Sequence, residues 1–302
     1  MMIYLPIAGL AVPLWELLAI GGGVGILSGI FGVGGGFLLT PLLIFLGIPP
    51  TVAVASGANQ VLGSSVSGVL THWRKGNVDV QMGVLLLVGG LAGSTAGVAI
   101  FAFLKRMGQI DLVIALSYVL FLVVVGGLMF AESLKAMSSA AKGAPRRKRH
   151  NRFQGWPWRR RFPKSRLYIS ALLPLAVGAV GGILSAIMGV GGGFVLVPMM
   201  IYILGMPTAV VVGTSLFQVI FVTANVTFLQ AVTTHTVDVV LAMMLLVGGA
   251  VGAQLGAKVG VRLRAEQLRL LLALIVLGVG GRMAYDLIEP PDDVYALEVR
   301  VD

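Results

Sequence analysis

The sequence predicts an all-α polytopic membrane protein made of two repeats inserted in opposite orientations. Three observations predict it: apolar composition sustained along the chain, an internal duplication, and charge gathered into a few loops. Of 302 residues, 57% are hydrophobic and 11% charged, against about 25% charged in an ordinary soluble domain. Apolar stretches of about 20 residues, the length a helix needs to cross a bilayer, recur throughout. A soluble protein of this composition would leave large apolar patches on its outside. The chain has no cysteine, which excludes disulfides, thiolate metal sites and cysteine nucleophiles.

The duplication is read directly. Residues 25–41 are GILSGIFGVGGGFLLTP and residues 182–198 are GILSAIMGVGGGFVLVP, identical at thirteen of seventeen positions. Downstream the similarity continues in register. Gly47-Ile48-Pro49 answers Gly205-Met206-Pro207, and Gln60 answers Gln218. Val78-Asp79-Val80 answers Val237-Asp238-Val239, and Leu87-Val88-Gly89-Gly90 answers Leu246-Val247-Gly248-Gly249. The chain divides into a first transmembrane repeat (1–134), a basic linker (135–166), a second transmembrane repeat (167–289) and an acidic tail (290–302). Repetition of a multi-span unit is a common architecture of secondary transporters.

Each repeat offers five apolar segments. In the first they fall near 14–31, 37–47, 52–71, 80–103 and 110–130. In the second they fall near 168–188, 194–204, 208–230, 238–259 and 268–288. The second segment of each repeat has only eleven residues, about 17 Å of helix at ~1.5 Å per residue, so it is a half-helix. The segment before it either spans the bilayer or forms a re-entrant hairpin with it. Each repeat therefore contributes four to five membrane segments, including a glycine-rich break and a half-helix, for eight to ten in total. An odd number of crossings per repeat inverts the second repeat relative to the first.

Charge supports the inversion. Eleven of the 22 Lys and Arg lie between Lys142 and Arg166, a stretch without Asp or Glu. Positive loops stay in the cytoplasm, which places the linker inside and both termini outside an inner (plasma) membrane. The loops at Arg74-Lys75 and at Arg262, Arg264 and Arg269 then fall inside. The acidic C-terminus, with six acids against Arg300 alone after Met283, falls outside. Lys105 and Arg106 also fall outside, a mild violation offset in part by Asp111. The apolar N-terminus has no basic residue ahead of its apolar run and lacks the form of a cleaved signal peptide.

No catalytic set, metal cluster or cofactor motif stands in the apolar segments, and His72, His150 and His235 lie in or beside loops. The expected protein is therefore not an enzyme. Its distinctive chemistry is the Gly-Val-Gly-Gly-Gly break at 32–36 and again at 189–193. Each break opens a half-helix, at Phe37 and Phe194, whose first amides lack intrahelical partners and carry the positive end of the dipole. Such an end attracts phosphate, sulfate or carboxylate without an arginine. The plainer reading is close helix packing by small residues. The candidate anion site comprises Gly34, Gly35, Gly36 and Phe37 with Gly191, Gly192, Gly193 and Phe194. Ser56, Asn59 and Gln60, with Thr214, Ser215 and Gln218 of the third segments, supply hydroxyl and amide donors. Their plainer reading is interhelical hydrogen bonding. Asp79 and Asp238 sit at equivalent loop-to-helix boundaries and read as helix N-caps. Pro41 and Pro198 are expected to kink or shorten the half-helices. The basic linker, with Arg146-Arg147-Lys148-Arg149 near Trp156 and Trp158, reads as a surface for anionic lipid headgroups and not for nucleic acid.

The duplicated glycine string, the Gly-x-Pro after each half-helix, and the segments Ala55-Ser56-Gly57-Ala58-Asn59-Gln60 and Gly213-Thr214-Ser215-Leu216-Phe217-Gln218 resemble the TauE/SafE family of membrane transporters. That family includes sulfite exporters and toluene-sulfonate uptake permeases. The resemblance covers about Leu14 to Ile288 and implies secondary transport of sulfite or an organosulfonate, without ATP hydrolysis by the chain itself. Protons are a candidate coupling partner, and the oligomeric state is left open. An anion channel and a membrane sensor signalling through the linker are the alternatives.

Overall fold

The computed structural model describes residues 2–31, 36–139, 158–165, 167–260 and 265–288. Apart from two short hairpins it is all-α. The first half contains β1 (Met2–Leu5), β2 (Leu10–Pro13), α1 (Leu14–Phe31), α2 (Gly36–Phe45), α3 (Pro50–Arg74), α4 (Val80–Arg106) and α5 (Ile110–Ser139). The second contains β3 (Arg159–Phe162), β4 (Leu167–Ser170), α6 (Leu172–Met188), α7 (Gly193–Tyr202), α8 (Thr208–Thr233), α9 (Val239–Gly260) and α10 (Ala265–Ile288). Five described helices are long and apolar enough to cross a bilayer: Val80–Arg106, Ile110–Ala131, Val210–Thr233, Val239–Gly256 and Leu270–Ile288.

Local chemistry sets the boundaries. Gly47 and Gly205 take positive φ (81° and 74°) just beyond the two ten-residue helices α2 and α7, the backbone conformation glycine adopts freely. Pro49 and Pro207 then stand as N-caps of α3 and α8, with Pro50 in the first turn of α3. Asp79 caps α4, its Oδ1 accepting from Met82 N–H at 3.1 Å, and Asp238 caps α9 through Leu241 N–H at 3.1 Å. Pro41 and Pro198 both lie within their short helices.

The pairing of helices repeats between the halves. α1 packs along α9 and α4 along α6, while α3 lies against α8 and α5 against α10. In the α1–α9 pair, Leu18 meets Gly248 and Ile26 meets Gly256, so the two run parallel. α4 and α6 likewise run parallel, with Leu86 against Gly178 and Gly97 against Ile183 and Ala186. The equivalent helices α3 and α8 run antiparallel, since Gly68 meets Leu216 while His72 meets Gly213. So do α5 and α10, where Gly126 meets Val276 and Leu122 meets Gly280.

These directions define two faces. The end of α3, the start of α4, the start of α8 and the β3–β4 hairpin share one, here the β3 face. The β1–β2 hairpin, the end of α8 and the start of α9 share the other, the β1 face. Because α1 and α3 both begin at the β1 face, α1 and α2 leave that face and return to it. α6 and α7 do the same from the β3 face.

The parallel pairs approach at backbone distance. A Cβ on Gly89, Gly93, Gly178 or Gly182 would run into the backbone of the facing helix, as would one on Gly25, Gly252 or Gly256. Small residues permit this approach in membranes, where apolar lipid gives helices little other reason to associate.

The hairpins were not expected. Each precedes the first helix of its half, and β1–β2 and β3–β4 occupy corresponding places. α5 also runs nine residues beyond its expected end at 130. The most basic part of the linker, including Arg146–Arg149 and Trp156, lies outside the described residues.

The glycine contacts make a prediction. Gly93→Leu should destabilise the detergent-purified protein by at least about 2 kcal/mol through overpacking. Gly127→Ala, where an added Cβ meets nothing within 4 Å, should change stability by no more than about 1 kcal/mol. Melting temperatures of the two variants check this.

Candidate functional site

The second break is fully described. α6 ends at Met188, and Gly189, Gly191 and Gly192 all take positive φ (67°, 68° and 73°) before α7 begins at Gly193. This left-handed run turns the chain sharply in the interior, and every residue from Ser185 to Leu196 except Ile187 is buried. Gly192 caps α7 without a side-chain hydrogen bond. Of the first break, Gly34 and Gly35 lie outside the described residues, while Gly36 and Phe37 are buried at the start of α2.

The two breaks come together. Phe37 stacks on Phe194 with ring centroids 3.9 Å apart and planes within 10°. Phe121 of α5 meets Phe194 edge-on at 5.6 Å. Gly36 faces Val61 and Val190, and Gly191 faces Val61, Val219 and Thr223, so α3 and α8 clamp the junction from either side. The Tyr118 hydroxyl donates to the Met188 carbonyl, the last residue before the break. The starts of α2 and α7 thus lie side by side in the core.

The polar candidates divide into two groups. Gln60 and Gln218 turn inward, each carboxamide against a glycine of the other half: Gln60 against Gly249 of α9, Gln218 against Gly90 of α4. Gln218 is fully buried, and neither its Nε2 nor its Oε1 finds a partner among the described residues. Leaving such a group unsatisfied costs about 1–3 kcal/mol. Asn59 Nδ2 donates to Ala55 O at 3.3 Å, and Ser215 Oγ to Val212 O at 3.0 Å, both within their own helices.

Ser56 and Thr214 belong to the second group. Ser56 Oγ accepts from Asp238 N–H, and Thr214 Oγ1 accepts from Asp79 N–H, each at 3.0 Å. They bind the ends of the bundle and not its centre.

Sequence reasoning did not single out Tyr118, Phe121, Val61, Gly90 or Gly249. A signal for the two glycines was present, since the Leu-Val-Gly-Gly strings are duplicated. Lys105 also finds its reason: Nζ donates to the Thr234 carbonyl at 2.7 Å, at the C-cap of α8, where a cation meets the negative end of the dipole. Among the described residues no three His, Cys, Asp or Glu side chains gather as a metal site would require.

The sequence pattern of the family described as "Sulfite exporter TauE/SafE" matches residues 17–283, both breaks and all ten helices included in whole or in part. The chain belongs to the TauE/SafE family. It is therefore a multi-pass membrane transporter. Among its relatives is the "Probable membrane transporter protein YjnA" of Bacillus subtilis, 29% identical over 265 residues, which span 86% of this chain and 95% of that protein. A "Probable membrane transporter protein" of Xylella fastidiosa is 29% identical over 263 residues, 86% of this chain and 90% of its own length. A shorter match, 41% identical over 63 residues, joins 21% of the chain to 13% of the Arabidopsis thaliana "Sulfite exporter TauE/SafE family protein 1". No solved structure matches the TauE/SafE chain significantly.

Since the Gln218 carboxamide is unpaired in the described interior, Gln218→Met should leave the melting temperature unchanged or raise it. A structural carboxamide would instead show a loss of about 1–3 kcal/mol.

Proposed function

We propose that this TauE/SafE protein is a secondary transporter of sulfite or an organosulfonate such as sulfoacetate. It moves the anion across the inner membrane by alternating access between two inverted repeats. The observation that carries this reading is the Phe37–Phe194 stack, which brings the starts of two broken helices together in the core. Paired half-helix N-termini present amide donors and positive dipole ends to an anion. Discontinuous helices at a repeat interface are the usual setting for substrate in secondary transporters.

The remaining features fit. Antiparallel pairing of α3 with α8 and of α5 with α10 supports inversion, because equivalent helices then run in opposite directions. α1 with α2, and α6 with α7, become re-entrant hairpins, leaving three crossings per repeat. The anion is held by amides near Gly34, Gly35, Gly36 and Phe37 and near Gly191, Gly192, Gly193 and Phe194. Gln60, Gln218, Asn59 and Ser215 complete its shell, and Ser56 and Thr214 anchor that shell toward the two faces. Every donor in this set is neutral. Any coupled proton would then travel on the anion itself, since a carboxylate relay needs an ionisable side chain at membrane depth. The basic linker supports a cytoplasmic β3 face with both termini outside, and its charge suits anionic lipid headgroups.

Uptake of labelled sulfite, sulfoacetate, taurine and thiosulfate into proteoliposomes, with and without a pH gradient, tests the proposal. Saturable flux of one anion, competed by the others, is expected. Gln218→Met and Gly192→Leu should each lower it at least about tenfold while the protein still inserts, a loss equivalent to about 1.4 kcal/mol. Flux of none of the four would remove the organosulfur substrate.

A further inference from the structure

We propose that Asp79 and Asp238 are paired latches of the transport cycle, each fastening a hairpin lid over one face of the bundle and releasing in turn. This rests on the alternating-access reading. Both carboxylates are buried, 2% and 1% exposed, at opposite faces. Each uses one oxygen to cap its own helix: Asp79 Oδ1 accepts from Met82 N–H, and Asp238 Oδ1 from Leu241 N–H. The other oxygen reaches into the opposite half. Asp79 Oδ2 accepts from Ser165 N–H at 3.1 Å and from the Ser165 hydroxyl, in the turn of the β3–β4 hairpin. Asp238 Oδ2 accepts from Ile7 N–H at 3.0 Å, in the turn of the β1–β2 hairpin.

The backbone completes each latch. Asp79 N–H donates to Thr214 of α8, and Asp238 N–H donates to Ser56 of α3. Every latch therefore ties the α4-type helix of one half to the hairpin and central helix of the other. Lys164 Nζ adds a bond to Val78 O on the β3 face.

The hairpins are shaped as lids. Leu5 and Phe162, the last residues of β1 and β3, are 0% and 2% exposed and point into the core. Leu5 and Val12 share an apolar cluster with Ala53 of α3, and Phe162 and Ile169 share one with Val211 of α8. A helix cap alone needs only one carboxylate oxygen and a nearby amide. The second oxygen, spent twice on the opposite half, is what a cap does not explain. Relative movement of the halves must break these bonds on the face that opens, and charge-assisted bonds to a buried carboxylate are among the strongest available to hold it.

The test uses the natural absence of cysteine. Val211→Cys and Ala53→Cys place thiols in the apolar clusters that the β3–β4 and β1–β2 hairpins join, at residues that are both 0% exposed. Alkylation by a small hydrophilic maleimide is followed in nanodiscs, where both faces are reachable. Asp79→Ala should speed labelling of the cysteine at 211 at least tenfold and slow that at 53. Asp238→Ala should do the reverse. Thr214→Val and Ser56→Ala, which each remove one hydroxyl, should give the same reciprocal pattern at smaller amplitude if an aspartate variant fails to fold. Faster labelling at both positions, or no change at either, overturns the latches. Reciprocal labelling without uptake of any organosulfur anion keeps the latches and removes that substrate. Saturable uptake without reciprocity keeps the carrier and removes the latches.

Discussion

Backbone contact between the two halves is the constraint on which the bundle depends. α1 is seated on α9, and α4 on α6, through glycines whose replacement would drive a side chain into a facing backbone. Each half thus supplies the wall against which the first helix of the other is packed. The second half does not bury its glycine break alone. Non-helical backbone is tolerated at membrane depth only where protein or a wet cavity surrounds it, and here the second break is clamped by Val61 of α3 with Val219 and Thr223 of α8.

The same interlocking places the chemistry. Breaks that start from opposite faces meet at the Phe37–Phe194 stack, and the carboxamides of Gln60 and Gln218 fill notches left by Gly249 and Gly90. On the proposed reading, a centre furnished with neutral donors suits an anion that must be released again, because charge-assisted bonds to a buried cation would hold it more strongly. Among the described residues, charge is instead kept to the ends of the helices. There Lys105 closes the end of α8, and Asp79 and Asp238 fasten the hairpins.

Much of this was legible in the sequence, because its two strongest signals are local. Apolar runs punctuated by Gly-x-Pro predict ten helices close to those described, and the eleven-residue second segments correspond to the ten-residue helices α2 and α7. The aspartate caps were legible too, since a cap acts within one turn. What stayed hidden depends on partners remote in the chain. Ser56 and Thr214 read as oxyanion donors, yet their hydroxyls serve Asp238 and Asp79, 182 and 135 residues away. The hairpins have four-residue strands, too short for a clear alternation. Lys105 looked misplaced by the charge rule alone, because the carbonyl it binds belongs to the other half.

Central to this account is a carrier whose two halves expose one anion site to each face in turn, as distinct from a pore open to both. Trans-stimulation measures that property most directly. Proteoliposomes are preloaded with unlabelled transported anion, and the initial rate of labelled uptake is compared with that of empty vesicles at equal membrane potential. The account predicts a faster rate in the preloaded vesicles, because the loaded site returns with cargo. A rate that is unchanged by preloading and rises linearly with external anion would contradict it and identify a channel.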